Sequence, residues 1–400
     1  MARILVLDGH SSAALAFVRS LGRAGHSVYV GFAKGSFAPA SFSRYCMLSC
    51  EYPNPLSSAR DFCDSVLNFS RRHGVALVLP MTDATIGPLS FRQEYFLSPT
   101  VVAVPPKETI DLVSDKYSTI ILAQTVGVPV PETILVKELD DLQSIADWDF
   151  PIVVKDRFSL RWLGDKGQSG EVAYAYSRGD LQTVVRSRLD AMGDVLVQKF
   201  CDGVGIGFSC FVQNGEIFSP FQWQRIREKD PRGSGSSARK SISLAREIRS
   251  YAKSLLSQTD FQGILMVEFK KNPSNGHYSL MEINGRPWGS IQLPIHCGID
   301  YPLQLVRWYL ENVIPPKEIE YKENITCRWL LADFIHLENL WEGKPDGWPC
   351  DYPSFAKNLI KVSIPWYPGL RYDDLSLRDP LPGLVDLKNW FQSHLLRKLK

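Results

Sequence analysis

The sequence predicts a chain of mixed α/β and α+β class: a Rossmann-like parallel layer, then a body of antiparallel sheets, then a C-terminal extension. Three observations carry this. RILVL (3–7) leads through DGHSSA into helical spacing at Ala14, Leu15, Val18 and Leu21, and SVYVGF resumes an apolar run. Strand, turn, helix and strand open a parallel layer. Pro105-Pro106 ends that pattern. Beyond it, alternating runs pair about turn residues, FSCFVQNGEIFSPFQW about Asn214-Gly215 and GILMVEFKKNPSNGHYSLMEINGR about NPSNG, which is hairpin chemistry.

In chain order, VALVLP (75–80) and TVVAVPP (100–106) read as later strands of the first layer. DGHSSA lacks GxGxxG, so that layer reads as a scaffold and not a dinucleotide site. Helical spacing from Glu108 to Val126 stops at VGVPVPET. Strands are expected at PIVVK (151–155), EVAYAY (171–176) and VLVQKF (195–200), with RFSLRWLGDKGQSG (157–170) as a basic, glycine-bearing loop. A helix is expected over 243–258. These breaks divide the chain at 1–107, 108–197, 198–310 and 311–400.

Composition excludes several classes of function. Four hundred residues exceed a single core. A net charge of +2 gives no electrostatic pull toward nucleic acid or acidic membranes. No apolar run approaches the ~18 residues of a membrane span. The eight cysteines form no CxxC pair and read as reduced thiols of a cytoplasmic protein.

The chemistry concentrates in LMEINGRPWGS (280–290). Glu282, Asn284 and Arg286 alternate with Met281, Ile283 and Gly285, so in a strand the three polar groups leave one face. Centring the turn on Asn275 sets Glu268 opposite Glu282, with Val267, Phe269, Met281 and Ile283 on the buried face. Carboxylates opposed across strands have Cβ atoms about 4.5–5.5 Å apart and repel unless a cation intervenes. Two Glu and one Asn form an oxygen-only set suited to Mg²⁺, which completes its shell with water and phosphate.

MEINGRPWGS, with VEF fourteen residues earlier, resembles the metal-binding end of the ATP-grasp superfamily, in particular its carboxylate–amine ligases. The resemblance implies an ATP-grasp fold with a mobile lid subdomain. In it Glu268, Glu282 and Asn284 hold one or two Mg²⁺ ions, or Mn²⁺ in their place, against the phosphates of ATP. Arg286 steadies a phosphate or the acyl-phosphate intermediate, and Trp288, Gly289 and Ser290 resemble the substrate-side loop of the amino-acid-ligating branch. SDKYST and PIVVKDR place Lys116 and Lys155 where the family carries lysines that neutralise the triphosphate.

VLVQKFCDG is similar to the hinge strand, so Gln198, Lys199 and Phe200 meet the adenine and Asp202 is the nearest carboxylate for the ribose. WQRIREKDPRGSGSS is similar to the basic segment between nucleotide and acceptor. Arg225 and Arg227 alternate there and are expected to share the site face, with Ser234 and Ser236 in the adjoining glycine–serine loop. Three departures stand out: Gln198 replaces a common Glu, GVGIG (203–207) lacks a ribose acid, and the lid loop is poorer in glycine. The implied activity is an ATP-dependent carboxylate–amine ligase working through an acyl phosphate on small carboxylate and amine substrates. It needs no nucleic acid or membrane, and a homodimer is compatible with it. The departures also suit a rival, an ATP-binding regulatory protein weakened in catalysis.

Overall fold

The computed structural model describes residues 1–96 and 99–398. The first layer is a five-stranded parallel sheet in the order Cys46–Tyr52, Ser27–Ala33, Arg3–Val6, Leu77–Leu79 and Val101–Val102. Helices cover both faces, so the central strand is apolar past Arg3, with Ile4, Leu5 and Val6 fully buried, while the edge strand Cys46–Tyr52 is largely exposed. Strand order reverses between Arg3–Val6 and Leu77–Leu79, and such a switch point leaves a crevice at the strands' carboxyl ends. Asp8 sits there with a left-handed φ of 57°. Its carboxylate accepts from the N–H groups of Met81 and Thr82 and the hydroxyl of Thr85. DGHSSA is therefore a fixed turn, and Ser11 caps the helix Ser12–Arg23 that follows.

The helical spacing after Pro106 resolves into two helices, Lys107–Ser114 and Lys116–Thr125. Asp115 breaks it by taking the extended conformation of an N-cap and accepting from the Tyr117 N–H. A four-stranded antiparallel sheet comes next, ordered Val172–Ala175, Ile152–Asp156, Val195–Lys199 and Thr133–Val136. Ile152, Val154, Val195 and Val197 pack with Leu181 and Val185 of the helix Arg178–Met192. Strand alternation sends Lys155 and Gln198 to the opposite face.

Residues 157–170 are not a plain loop. Leu160–Leu163 pairs with Lys166–Ser169 about Gly164, and the hairpin docks on the first layer. The Asp165 carboxylate takes the Ser58 hydroxyl and the Arg60 N–H, and its carbonyl takes the Ala59 N–H. That caps the helix Ala59–His73. Trp162 lies so close to Gly87 that a Cβ there would stand 2.4 Å from the indole.

The largest sheet has seven strands, in the order Tyr278–Asn284, Gly263–Lys271, Val204–Gln213, Glu216–Glu228, Ser236–Ser241, Thr326–Arg328 and Leu370–Tyr372. Asn214 and Gly215 both take positive φ, as the tight hairpin turn requires. Arg246–Leu256 supplies the helix expected over 243–258. The last two strands come from beyond residue 311, so this segment completes the sheet. Its loop ties back to the first layer through buried Arg19, which donates to the Asp379 carboxylate at 2.9 Å. All eight cysteines are free thiols. Among the described residues no helix is long and apolar enough to cross a membrane.

Candidate active site

Glu268 and Glu282 are direct cross-strand partners. The pairing arises by compensation. Near the turn Lys271 meets Tyr278 and Lys270 meets Ser279, half a residue off the Asn275-centred register, and an irregularity between Glu268 and Phe269 restores it. Met281 is the extra residue. It is turned away from the buried face, where Leu280 and Ile283 sit, and into the wall of a cavity, which corrects its expected place in the core. A bulge re-aims a side chain in this way.

On the polar face the Asn284 amide donates to Glu282 at 2.8 Å. Burial raises the Glu268 carboxyl above its usual range; Arg225 opposes this, while Glu282 and Glu228 add to it. Arg225 reaches Glu268 at 2.5 Å. Among the described residues no group of three or more His, Cys, Asp or Glu is placed to hold a metal. The donor set is two carboxylates and an amide, and the strain on Glu268 is what a divalent cation relieves. These residues fit Mg²⁺ completed by phosphate and water.

Two lysines approach this wall from other elements. Lys155 points from the four-stranded sheet, and burial pulls its ammonium down to about 8 although Glu282 works the other way. Lys116 opens the helix Lys116–Thr125, donates to the Asp156 carbonyl at 3.2 Å, and is likewise lowered by burial against the pull of Glu282. Lys270, two residues from Glu268 on its strand, is close enough to depress Lys155 and donates to the Cys201 carbonyl. Strand alternation from Glu268 was the signal that could have found it. Arg286 stands near both glutamates but spends its Nε on Asp83 of the first layer, at 2.8 Å.

The hinge residues are differently placed. Gln198 is buried and donates to the Thr133 hydroxyl. Lys199 pairs with Glu132 at 2.5 Å and gives its own N–H to the Glu132 carbonyl, so neither group is left for an adenine. Phe200 packs edge-on against Trp348, which also meets Tyr174 of the strand Val172–Ala175. Asp202 is exposed beside Cys350.

Arg225 and Arg227 do not share a face. The strand is irregular between them and again after Arg227. Arg225 holds Glu268, Glu228 and the Ser234 carbonyl. Arg227 turns away and binds both oxygens of Asp333, which is fully buried and also takes Arg328. Arg227 is thus a packing residue, because a carboxylate from the helix Leu330–Glu342 claims it. Ser234 fastens its own loop, its N–H bound to Glu228.

The carboxylate pair separates two cavities. A larger one, about 690 Å³, touches Lys116, Glu282, Asn284, Met281 and Trp162. A smaller one, about 150 Å³, touches Glu268, Arg225, Ser236, Trp288, Gly289 and Ser290. Ser12, Trp223, Lys229, Arg239, Trp329 and Asp373 also line the smaller cavity. None was anticipated. Ser12 lies in the scaffold turn and donates to the Gly289 carbonyl at 2.9 Å, while Asp373 arrives from 134 residues beyond its partner Arg239. Cys297, next to the motif, is no nucleophile: burial pushes its thiol up to about 11.

A family described as ATP-grasp in the biosynthetic pathway with Ter operon matches residues 191–331. The chain is 26% identical over 239 residues to the tetrahydromethanopterin:alpha-L-glutamate ligase of Methanosarcina acetivorans, covering 54% of this chain and 71% of that one. Among solved structures it resembles N5-carboxyaminoimidazole synthetase from Staphylococcus aureus, with a TM-score of 0.60, 17% identity and 80% of each chain covered. It also resembles an L-amino acid ligase from Bacillus licheniformis, with a TM-score of 0.57, 16% identity, and 77% of this chain and 74% of that one covered. The biotin carboxylase domain of Hydrogenobacter thermophilus 2-oxoglutarate carboxylase, solved with MgADP, ADP and bicarbonate, gives a TM-score of 0.63 at 14% identity, over 81% of this chain and 73% of that one.

Proposed function

We propose that the chain is a member of the ATP-grasp superfamily, as the family match over residues 191–331 and the fold it shares with solved ligases support, and that it is an ATP-dependent carboxylate–amine ligase acting on small amino-acid-like substrates. The observation that carries this is the Glu268–Glu282 pair with Asn284 on one strand face, flanked by Lys155 and Lys116 on one side and Arg225 on the other. Lysines neutralise a triphosphate as point charges. Mg²⁺ held by Glu268, Glu282 and Asn284 would supply Lewis-acid charge at the transferring phosphate.

The reaction balances as follows. A carboxylate oxygen of the first substrate attacks the γ-phosphorus of ATP, and the bond to the bridging oxygen breaks to release ADP. The amine of the second substrate then attacks the acyl carbon, and phosphate leaves. Of the two protons the ammonium group loses, one ends on phosphate and one in solvent. Lys155 and Lys116 hold the phosphates in position, which is the main contribution a protein makes to phosphoryl transfer. Arg286, fixed by Asp83, faces the charge that develops at the acyl phosphate. The hairpin Leu160–Ser169 keeps bulk water from that reactive group.

The test is ADP release against a panel of carboxylates and amines, with Glu282→Gln beside the wild type. The variant is expected to fold normally and lose at least about a hundredfold in turnover, the scale of removing a transition-state electrostatic contact. Undiminished turnover in that variant would remove the metal-site assignment. ATP binding with no acceptor-dependent ADP release in the wild type would remove the ligase reading.

A further inference from the structure

The smaller cavity carries information about its occupant. Of the charged side chains that line it, Arg225 is bound to Glu268 and Arg239 to Asp373. Lys229 alone has no carboxylate partner among the described residues; its ammonium rests over the Trp329 ring, 5.9 Å from the centroid. Two buried donors in the same wall also lack acceptors among the described residues, the indole N–H of Trp288 and the Nε of Arg239. Buried polar groups are nearly always satisfied, so orphans of one kind specify the missing partner. Here both are donors beside an unpaired cation, and the complementary ligand is rich in acceptor oxygens.

Size limits the ligand further. At about 150 Å³ the space lies well below the range of drug-sized or nucleotide pockets. Its walls are stiff. Trp223 and Trp288 are almost fully buried and lie parallel, 6.1 Å apart. Gly207 passes so close behind Trp223 that a Cβ there would stand 2.2 Å from the ring. Ser12 of the first layer braces the Gly289 loop on another side through its bond to the Gly289 carbonyl.

We propose that this cavity binds the amine substrate, that this substrate is a small free α-amino acid, and that Lys229 reads its carboxylate while the Trp223–Trp288 pair sets its size limit. The proposal rests on the ligase reading for its catalytic consequence, although not for the binding itself. Holding the carboxylate at Lys229 leaves the amino group as the free nucleophile in a cavity that Glu268 borders.

Two measurements test it. Ligand-observed NMR of glycine, L-alanine and L-serine with the full chain should detect binding to the wild type, none to L-alanine amide, and none to Lys229→Met. In steady-state assays, Lys229→Met should raise the KM for the amino acid roughly tenfold or more, the weight of a charge-assisted hydrogen bond. The KM for ATP should not move, and Lys229→Arg should recover part of the loss. Trp223→Ala should shift preference toward larger amino acids. Equal use of L-alanine amide and L-alanine overturns the proposal, as does a Lys229→Met variant whose amino-acid KM is unchanged. NMR binding that is lost in Lys229→Met, in a wild type that releases no ADP, upholds the site and removes the ligase reading instead.

Discussion

Two strands of the large sheet each carry polar side chains two residues apart, and they dispose of them differently. On Tyr278–Asn284, Glu282 and Asn284 share a face and a hydrogen bond. On Glu216–Glu228, Arg225 turns to Glu268 and Arg227 to Asp333. Both strands are irregular. In the first the extra residue, Met281, precedes the polar pair, and in the second the breaks fall between and after the two arginines. Alternation is a property of an unbroken pleat. Where the break falls decides whether a pair of side chains acts at one place or two.

The comparison can be broken at its most buried point. Asp333→Asn should cost about 3–5 kcal/mol, because two buried guanidinium groups lose their counter-charge; denaturant midpoints measure it. Turnover per folded molecule should be nearly unchanged. Loss of turnover at unchanged stability would put Arg227 back in the site.

A pH series sharpens the other strand's surroundings. Lys155 titrates at about 8 in the free protein, so below that pH its ammonium is charged and meets the triphosphate in full. Above it the free protein loses a proton that the complex retains. ATP affinity should then fall by up to tenfold, about 1.4 kcal/mol, per pH unit. Equilibrium ATP binding from pH 7 to 10 reads this, and Lys155→Arg should flatten the slope. A wild-type profile without a bend near pH 8 would count against Lys155 as the phosphate contact.

The smallest effect belongs to the hinge. Gln198→Ala removes the bond to Thr133 and should cost about 1 kcal/mol of stability, with ATP affinity within twofold of wild type. A larger loss of affinity would return Gln198 to the nucleotide.

What could be read from sequence was short-range or repeated. The parallel layer, the Asn214-Gly215 hairpin and the Glu268–Glu282 pairing each follow from turn chemistry and periodicity within some twenty residues. Lys155 was legible because an apolar strand ends on it. Arg227 was misplaced because its partner lies 106 residues on, and no local pattern announces a buried Asp333. Asp373 and Ser12 escaped for the same reason, since both reach the smaller cavity only through packing of distant elements. The hairpin Leu160–Ser169 was read as a loop because its two glycines outweighed the alternation of Leu160 and Trp162, and because its docking site, Leu56–Arg60, lies a hundred residues earlier.

The bulge at Met281 gives the carboxylate pair an unusual tolerance. A turn one half-step longer, with no bulge, would bring Glu268 and Glu282 together just as the present turn does with one. Two closures of the hairpin therefore share a single fixed point, while a slip at the turn would send Tyr278, Ser279 and Leu280 to the opposite face and bring Met281 into the core. A flexible thioether fills uneven space at little cost, which suits the residue left at the seam. The register of the carboxylate pair is thus set apart from that of the turn, which buried Tyr278 and the Asn272 bonds hold in its own place.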